Sequence, residues 1–364
     1  NLNNDENFEH YRERLASVYS NFKSSAEHIR LVFLTGVSRF SKLSVFSDLN
    51  NIRDITFANE FSDVCGITEK ELLANFREGI QELADEYDIS YEDACSRMKL
   101  NYDGYRFSKK GSDIYNPWSV LNAMQERHIS NYWGRSGKAT LIAEALKNVE
   151  ADLEGMLSTV VSLHTLEGLD LKSANPIALL YQTGYLTIKD YDAEDDYVTL
   201  GIPNLEVRQS LFYDLLPYYI KTRRGTVDMV VQQIIQDLRF GKPDKFVKDL
   251  DIFLAGIPYD MKMDNENNLH NAIYILLTLI GVEVETEVRT SEGRIDLVIK
   301  TQKYIYIIEL KFDRSAEVAM NQIDDKEYFL PYANDSRRLF RIGLNFSTLT
   351  RHLDPPLVEE LPGN

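Results

Sequence analysis

Two acids and a lysine interrupt two neighbouring apolar runs near the carboxyl end of the sequence. The stretch GRIDLVIKTQKYIYIIELK, residues 293–311, carries Asp296 inside its first run and Glu309 and Lys311 at the end of its second. Side chains alternate along a strand, so Glu309 and Lys311 point to one face and Leu310 to the other. Asp296 reaches the same face if the register of the hairpin allows. The pattern predicts that two carboxylates and an ammonium converge.

This set of groups suits metal-dependent cleavage of a phosphodiester. Such chemistry needs hard oxygen ligands for Mg²⁺ and a group that positions or helps to deprotonate the attacking water. Asp296 and Glu309 suit the first role, with the backbone carbonyl of Leu310 as a third oxygen ligand, and Lys311 suits the second. A structural alternative stays open, in which the strand simply reaches solvent at Glu309 and Asp296 pairs with Arg294 or Lys311.

The elements around these residues follow an αβββαβ order. We predict a helix over residues 267–280, strands over 282–290, 294–300 and 304–311, a helix over 316–328 and a strand over 339–346. In the second helix the spacing of Ala316, Ala319, Met320 and Ile323 indicates a buried face, and Gln322 lies on the neighbouring face.

Residues 266 to about 347 resemble the PD-(D/E)XK nuclease-superfamily domain at the carboxyl end of bacterial AAA-ATPase-like proteins. The resemblance implies a restriction-endonuclease-like fold, with Asp296, Glu309 and Lys311 as the core motif, and Mg²⁺ or Mn²⁺ as the cofactor. It also implies that Glu266 is the acid on the first helix and that Gln322 lies on the helix after the motif. Ile295 stands where many members have proline. An acid at the start of a helix, such as Glu266, is also favourable for the helix dipole alone.

The front of the chain resembles the later part of the ATPase-like module that accompanies this domain. The strings FLTGVSRFSKLSVFSDLNNIRDIT, CGITEKEL, NYDGYRFS, YNPWSVLNA and NYWGRSGKATLI carry the resemblance. A working ATPase needs a phosphate loop of the form G-x-x-x-x-G-K-[ST], and GRSGKAT, residues 134–140, does not match it. We therefore expect ATP to bind only if the full-length protein carries a phosphate loop before Asn1.

Local patterns predict the remaining elements. We expect a helix over residues 8–24, a buried strand over 29–36, a long helix started by a capping box of Thr68 and Glu71, and a helix after Asn116. A hairpin with an acidic turn is expected within residues 181–204. The fold class is α/β, with the later part of the ATPase-like module at 1–130, a helical middle domain with a small hairpin at 131–255 and the nuclease-like domain at 256–364.

Charge and composition bound the partners. The formal net charge is −17, and the sequence from residue 256 onward contains 18 acidic and 12 basic residues. This excess of acids disfavours broad electrostatic binding of nucleic acid. Two cysteines and the lack of a membrane-length apolar run or an apolar leader predict a cytoplasmic protein. The leading hypothesis is a metal-dependent nuclease. The alternatives are a non-catalytic platform that binds a protein partner or its own copies, and an NTP-driven switch whose nucleotide-binding half lies upstream.

Overall fold

Helices make up most of the first two thirds of the described chain, and a six-stranded sheet makes up most of the last third. The computed structural model describes residues 5–36, 53–136, 142, 153–166, 175–220, 224–255, 271–272, 274–276, 278–280, 285–291 and 294–361. The helices are α1 (Asp5–Ser24), α2 (Glu69–Asn75), α3 (Arg77–Glu86), α4 (Tyr91–Tyr102), α5 (Pro117–Glu126), α6 (Leu153–Leu157), α7 (Leu163–Leu166), α8 (Pro176–Gln182), α9 (Leu205–Ile220), α10 (Arg224–Arg239), α11 (Pro243–Ala255) and α12 (Ala316–Asp325). Residues 271–272, 274–276 and 278–280 are also helical.

The strands of the described residues form three sheets. They are β1 (Ile67–Thr68), β2 (Ile114–Tyr115), β3 (Thr159–Ser162), β4 (Thr187–Asp192), β5 (Tyr197–Gly201), β6 (Glu285–Ser291), β7 (Arg294–Lys300), β8 (Tyr304–Phe312), β9 (Arg338–Ser347), β10 (His352–Leu353) and β11 (Leu357–Leu361). The large sheet has the order β10-β9-β8-β7-β6, and β11 also pairs with β9. Only β8 and β9 pair in parallel within this sheet, and α12 is the crossover between them. The predicted mixed α/β class and the sheet of the carboxyl-terminal region are confirmed.

The central strand β8 is buried on both faces, which explains its nearly continuous apolar sequence. On one face Ile305 and Ile307 pack against Met320 and Ile323 of α12. On the other face Tyr306 donates a hydrogen bond from its hydroxyl to the carbonyl of Leu238 at the end of α10, at 2.7 Å. The sheet is therefore covered by a helix on each side.

The two capped helix starts predicted in the front of the chain are confirmed, but one of these helices is broken, and the helix predicted over residues 8–24 begins three residues earlier, at Asp5. Thr68 accepts from the backbone N–H of Glu71 at 3.2 Å, and the Glu71 carboxylate accepts from the backbone N–H of Thr68 at 2.9 Å. Asn116 caps α5 without a reciprocal partner, because its side-chain oxygen accepts from the backbone N–H of Trp118. The helix after Thr68 ends at Asn75, because Phe76 leaves helical geometry (φ −119°, ψ 20°) and packs against the apolar core, and α3 starts after it.

The prediction of a buried strand over residues 29–36 is wrong. Residues 31–36 form neither helix nor strand, and the side chains of Leu31 and Phe33 are 81% and 59% exposed. A strand requires a neighbour for its backbone hydrogen bonds. Within the described ranges no strand pairs with this segment, so its apolar content does not make it part of a sheet.

The chain divides into two units. The first comprises Asn1–Leu146 and Gly155–Arg208, and the second comprises Lys147–Glu154 and Gln209–Asn364. The predicted hairpin, which is β4 and β5, belongs to the first unit. The division into domains at 130 and 255 stays a prediction. No helix in the described parts of the chain is long and apolar enough to cross a bilayer.

A buried carboxylate organises the first unit at the start of α9. Glu206 is 1% exposed and accepts hydrogen bonds from the Ser119 hydroxyl and from the backbone N–H groups of Tyr132 and Trp133, at 2.7, 2.7 and 2.9 Å. Burial raises the pKa of Glu206, while these donors act in the opposite direction. The first turn of α9 is thereby fixed against α5.

Candidate active site

The strand register brings the predicted acidic and basic positions to one face of the large sheet. In the antiparallel pair of β7 and β8, Asp296 lies opposite Glu309 and Arg294 lies opposite Lys311. Directly opposite residues of such a pair share a face. Ile305, Ile307, Glu309 and Lys311 alternate along β8, so the face of α12 is also the face of the acid and the lysine. For Asp296 the structure describes the backbone position only.

Glu309, Lys311 and Gln322 form a buried polar cluster on this face. The side chain of Glu309 is 0% exposed and that of Lys311 is 7% exposed. The Lys311 ammonium donates a hydrogen bond to Oε1 of Glu309 and another to Oε1 of Gln322, the latter at 2.5 Å. Charges are rarely removed from water unless they are paired, so the lysine offsets part of the cost of burying Glu309. The strand does not reach solvent at these residues.

A glycine allows α12 to lie close enough to contribute Gln322. Gly343 of β9 is the partner of Glu309 in the parallel ladder. A Cβ atom at this position would lie 2.5 Å from the carbonyl oxygen of Ala316 and 2.9 Å from the backbone nitrogen of Met320. Both of these atoms belong to the helix backbone. The missing side chain therefore sets the distance between α12 and the sheet.

Asn345 fixes the segment that leads from β8 into α12. It is 1% exposed and lies opposite Lys311 in the ladder of β8 and β9. Its Oδ1 accepts from the backbone N–H of Arg314 at 2.8 Å, and its Nδ2 donates to Asp354 at 2.6 Å. The next residue, Ser315, caps α12 by accepting from the N–H of Val318. The position of Gln322 thus depends on Asn345 through the start of the helix.

The predicted site residues fall into three groups. Glu309, Lys311 and Gln322 are in contact, and Asp296 lies opposite Glu309 in the register. Leu310 directs its buried side chain to the opposite face, and its backbone lies in the central strand between β7 and β9. Glu266 lies outside the residues that the structure describes.

The donor set fits a hard divalent cation. Carboxylate and carbonyl oxygens are the ligands that Mg²⁺ and Mn²⁺ prefer. The Nε2 atom of Gln322 is buried, and no described residue accepts a hydrogen bond from it. This amide NH₂ group does not bind a cation, but it can donate a hydrogen bond to a water or to a phosphate oxygen. Within the described part of the chain no three acidic, cysteine or histidine side chains converge on one point, but neither Glu266 nor the side chain of Asp296 belongs to that part.

Sequence reasoning did not identify Gly343 and Asn345. Both lie in the strand RLFRIGLNFS, where a glycine and an asparagine interrupt an apolar run in the same alternating phase. A glycine inside a buried strand often marks the close approach of another backbone, and this was the signal that could have found it.

Comparison with known proteins identifies the class of the carboxyl-terminal part of the chain. Residues 264–354 match the family model of the PD-(D/E)XK nuclease superfamily. The matched segment contains Asp296, Glu309, Lys311 and Gln322. The carboxyl-terminal part of the chain is therefore a PD-(D/E)XK nuclease-superfamily domain.

The likeness to a further protein extends over nearly the whole chain. The chain is 31% identical, over 375 aligned residues, to the uncharacterized protein in the vnfD 5' region of Azotobacter chroococcum mcd 1. The alignment covers 99% of this chain and 69% of that protein. The chain belongs to the same family as that protein.

Proposed function

We propose that the carboxyl-terminal domain is a metal-dependent nuclease that hydrolyses phosphodiester bonds of a nucleic acid with Mg²⁺ or Mn²⁺. The observation that supports this most is the buried cluster of Glu309, Lys311 and Gln322 opposite the backbone position of Asp296. A merely structural ion pair gains little net stability from such burial, whereas a metal-dependent site needs these groups at one place.

Each residue has a role in this proposal. The carboxylates of Asp296 and Glu309 and the carbonyl of Leu310 would hold the cation, and Glu266 would add an acid from the first helix. The bound cation would lower the pKa of a water molecule and stabilise charge on the phosphate. Lys311 orients the attacking water with its ammonium, which Gln322 holds in place by accepting one of its hydrogen bonds.

The proposal is tested by cleavage assays on the full chain. Single- and double-stranded DNA and RNA are each incubated with Mg²⁺, with Mn²⁺ and with a chelator. We expect cleavage with one of the metals, and a loss of roughly a hundredfold to ten-thousandfold in Asp296→Asn and in Lys311→Met. Asp325→Asn and Lys303→Met change exposed charges of the same domain that are not members of the cluster, and they serve as matched controls.

Two outcomes would contradict the proposal. Cleavage that survives in Asp296→Asn would exclude this site as its source. Absence of cleavage in the unchanged chain on every substrate, with all four variants folded, would favour the alternative of a non-catalytic platform that binds a protein partner or its own copies. The net charge of −17 favours that alternative, because it repels the polyanionic substrate.

We also propose that the front of the chain is the later part of an ATPase-like module. The support for it is the set of strings that resemble such modules, among them CGITEKEL and YNPWSVLNA. An NTP-driven switch follows only if the full-length protein has a phosphate loop upstream and binds ATP. This hypothesis is tested by titration calorimetry of the full-length protein with ATP. Binding would support the switch, and no binding would exclude it.

A further inference from the structure

The first unit contains a pocket far from the predicted nuclease residues in sequence. Its volume is about 410 Å³, which lies in the range of small-ligand sites. The turn Asp103–Gly104, the half-buried Lys189 and Pro203 lie at its base, and Leu100 and Arg208 are exposed residues of its wall.

The turn at the base of the pocket brings the backbone of Gly104 very close to the backbone of Pro203. Gly104 has a φ of +97°, and a Cβ there would lie 2.3 Å from the carbonyl oxygen of Pro203. Two residues after Gly104, Arg106 is held against β4. Its backbone N–H donates to the Thr187 hydroxyl at 2.8 Å, and its guanidinium donates to the Lys189 carbonyl at 3.0 Å. The base of the pocket is therefore rigid.

Asp103 is a buried acid with an unused acceptor. It is 7% exposed, and its Oδ1 has no hydrogen-bond partner in the described structure. Burial raises the pKa of Asp103, the backbone N–H of Gly104 lowers it, and the nearby Asp113 raises it further. An unsatisfied buried acceptor is costly to the folded protein. Asp103 lines the pocket, and the terminal torsion of an aspartate is broad, so a modest rotation of the carboxylate would bring its unpaired oxygen to a molecule in the pocket.

Three basic residues line the pocket, and two of them interact with other residues of the first unit. Lys189 donates to the carbonyls of Gly104 and Pro203 at 3.1 and 3.0 Å, and burial lowers the pKa of its ammonium. Lys99 pairs with Glu69. Arg208 is exposed and, among the residues that the structure describes, pairs with no carboxylate. It lies two residues after Glu206, whose hydrogen bonds fix the start of α9.

We propose that this pocket binds a small organic anion that also carries an N–H or O–H donor. The donor meets the carboxylate of Asp103, the anionic group meets the guanidinium of Arg208, and the apolar part lies against Leu100, Ile202 and Leu205. Two classes of small molecule carry both an anionic group and an N–H or O–H donor. They are mononucleotides, whose anionic group is a phosphate, and free amino acids, whose anionic group is a carboxylate.

Titration calorimetry with the full chain tests the proposal. One set of probes is the mononucleotides, the other is the free amino acids, and inorganic phosphate is the simple anion. No divalent metal is added, so the result does not depend on the nuclease site. We expect a probe of one set to bind, and binding to weaken by about tenfold to a hundredfold in Asp103→Asn and in Arg208→Met, as expected for loss of a charge-assisted hydrogen bond.

Matched variants separate binding from general effects of charge. Arg97→Met removes an exposed arginine from the same helix as Lys99, and Asp195→Asn removes an exposed acid from the β4–β5 turn; neither residue lines the pocket. Both should bind the probe as the unchanged chain does. The proposal is overturned if no probe of either set binds, if phosphate alone binds as well as the larger probe, or if Asp103→Asn binds unchanged.

Stability supplies a second readout that does not need a ligand. Because the pKa of Asp103 is higher in the folded than in the unfolded state, the folded state holds the proton longer, and its stability falls as pH rises from the usual value of 3.8 through the raised pKa. Asp103→Asn should therefore melt at a higher temperature than the unchanged chain at neutral pH while it binds the probe more weakly. A lower melting temperature would mean that Asp103 serves the fold, and would overturn the assignment.

Discussion

At the scale of single residues, the contact between Glu309 and Lys311 has a large energetic consequence for the carboxyl-terminal unit. Both side chains are almost fully buried, so either charge left alone would stay in a medium of low polarity. Gln322 shares the ammonium and limits the directions in which it can turn. The cluster therefore couples three residues that lie on two different elements.

This coupling predicts the result of a double-mutant cycle. Lys311→Met and Glu309→Gln should each destabilise the domain by about 3–5 kcal/mol, because each leaves an uncompensated charge or a broken hydrogen bond in the interior. The double variant should lose less than the sum of the two, since no unpaired charge remains.

The measurement must report on the correct unit. Both tryptophans, Trp118 and Trp133, lie in the first unit, so tryptophan fluorescence follows that unit instead. Hydrogen exchange of a peptide that covers β8 follows the sheet directly. It is measured in the unchanged chain and in each variant. Strictly additive losses would show that the two side chains do not depend on each other.

At the scale of elements, the position of α12 against the sheet depends on Gly343. Gly343→Ala places a methyl group against the helix backbone, which cannot move aside as a flexible side chain can. We expect a destabilisation of about 1–3 kcal/mol and a displacement of Gln322 from Lys311, seen as faster hydrogen exchange in α12 and β9. If the chain cleaves nucleic acid, the same variant should cleave more slowly.

Gly79 provides the contrast for this prediction. It lies within α3, and a Cβ there would lie 3.0 Å from Sδ of Met124, an atom of a flexible side chain. Gly79→Ala should leave stability unchanged or raise it by about 0.5–1 kcal/mol through helix propensity. Equal losses at positions 79 and 343 would contradict the argument from the close approach of α12.

Local sequence patterns were sufficient where an element is determined by its own residues. The strand predicted over residues 294–300 is β7, and the capping residues Thr68 and Asn116 start α2 and α5 as expected. Turn residues and side-chain caps act within a few positions, so they can be recognised without the fold. The same is true of Glu309 and Lys311, whose common face follows from alternation alone.

The remaining features depend on partners that are distant in sequence. Leu31 and Phe33 looked like part of a strand but find no paired strand in the described chain, whereas the short strands β10 and β11 form because β9 offers them its edge. Asp103 lies in the string NYDGYRFS, from which neither its burial nor its unpaired oxygen can be recognised. A buried unsatisfied group becomes visible only when its neighbours are known.

At the scale of the whole molecule, the net charge of −17 limits how a nucleic acid can bind. Binding of a duplex by many phosphate contacts weakens steeply with salt, by roughly a thousandfold or more between about 50 and 200 mM for 6–10 contacts. An acidic chain instead repels the polyanion at long range, and salt screens that repulsion. Added salt therefore weakens the phosphate contacts, but it also weakens the long-range repulsion, so its two effects on the association step oppose each other.

We therefore expect a shallow salt dependence for any cleavage by this chain. Between about 50 and 200 mM potassium chloride, at constant metal concentration, kcat/KM should fall by no more than about tenfold, as expected for one or two phosphate contacts. The comparison is made with a short single strand and a long duplex, since repulsion grows with the length of the polyanion and its screening should favour the duplex. A loss of a thousandfold would indicate about six or more phosphate contacts and therefore a locally basic surface, and the argument from net charge would then not apply to the site where cleavage takes place.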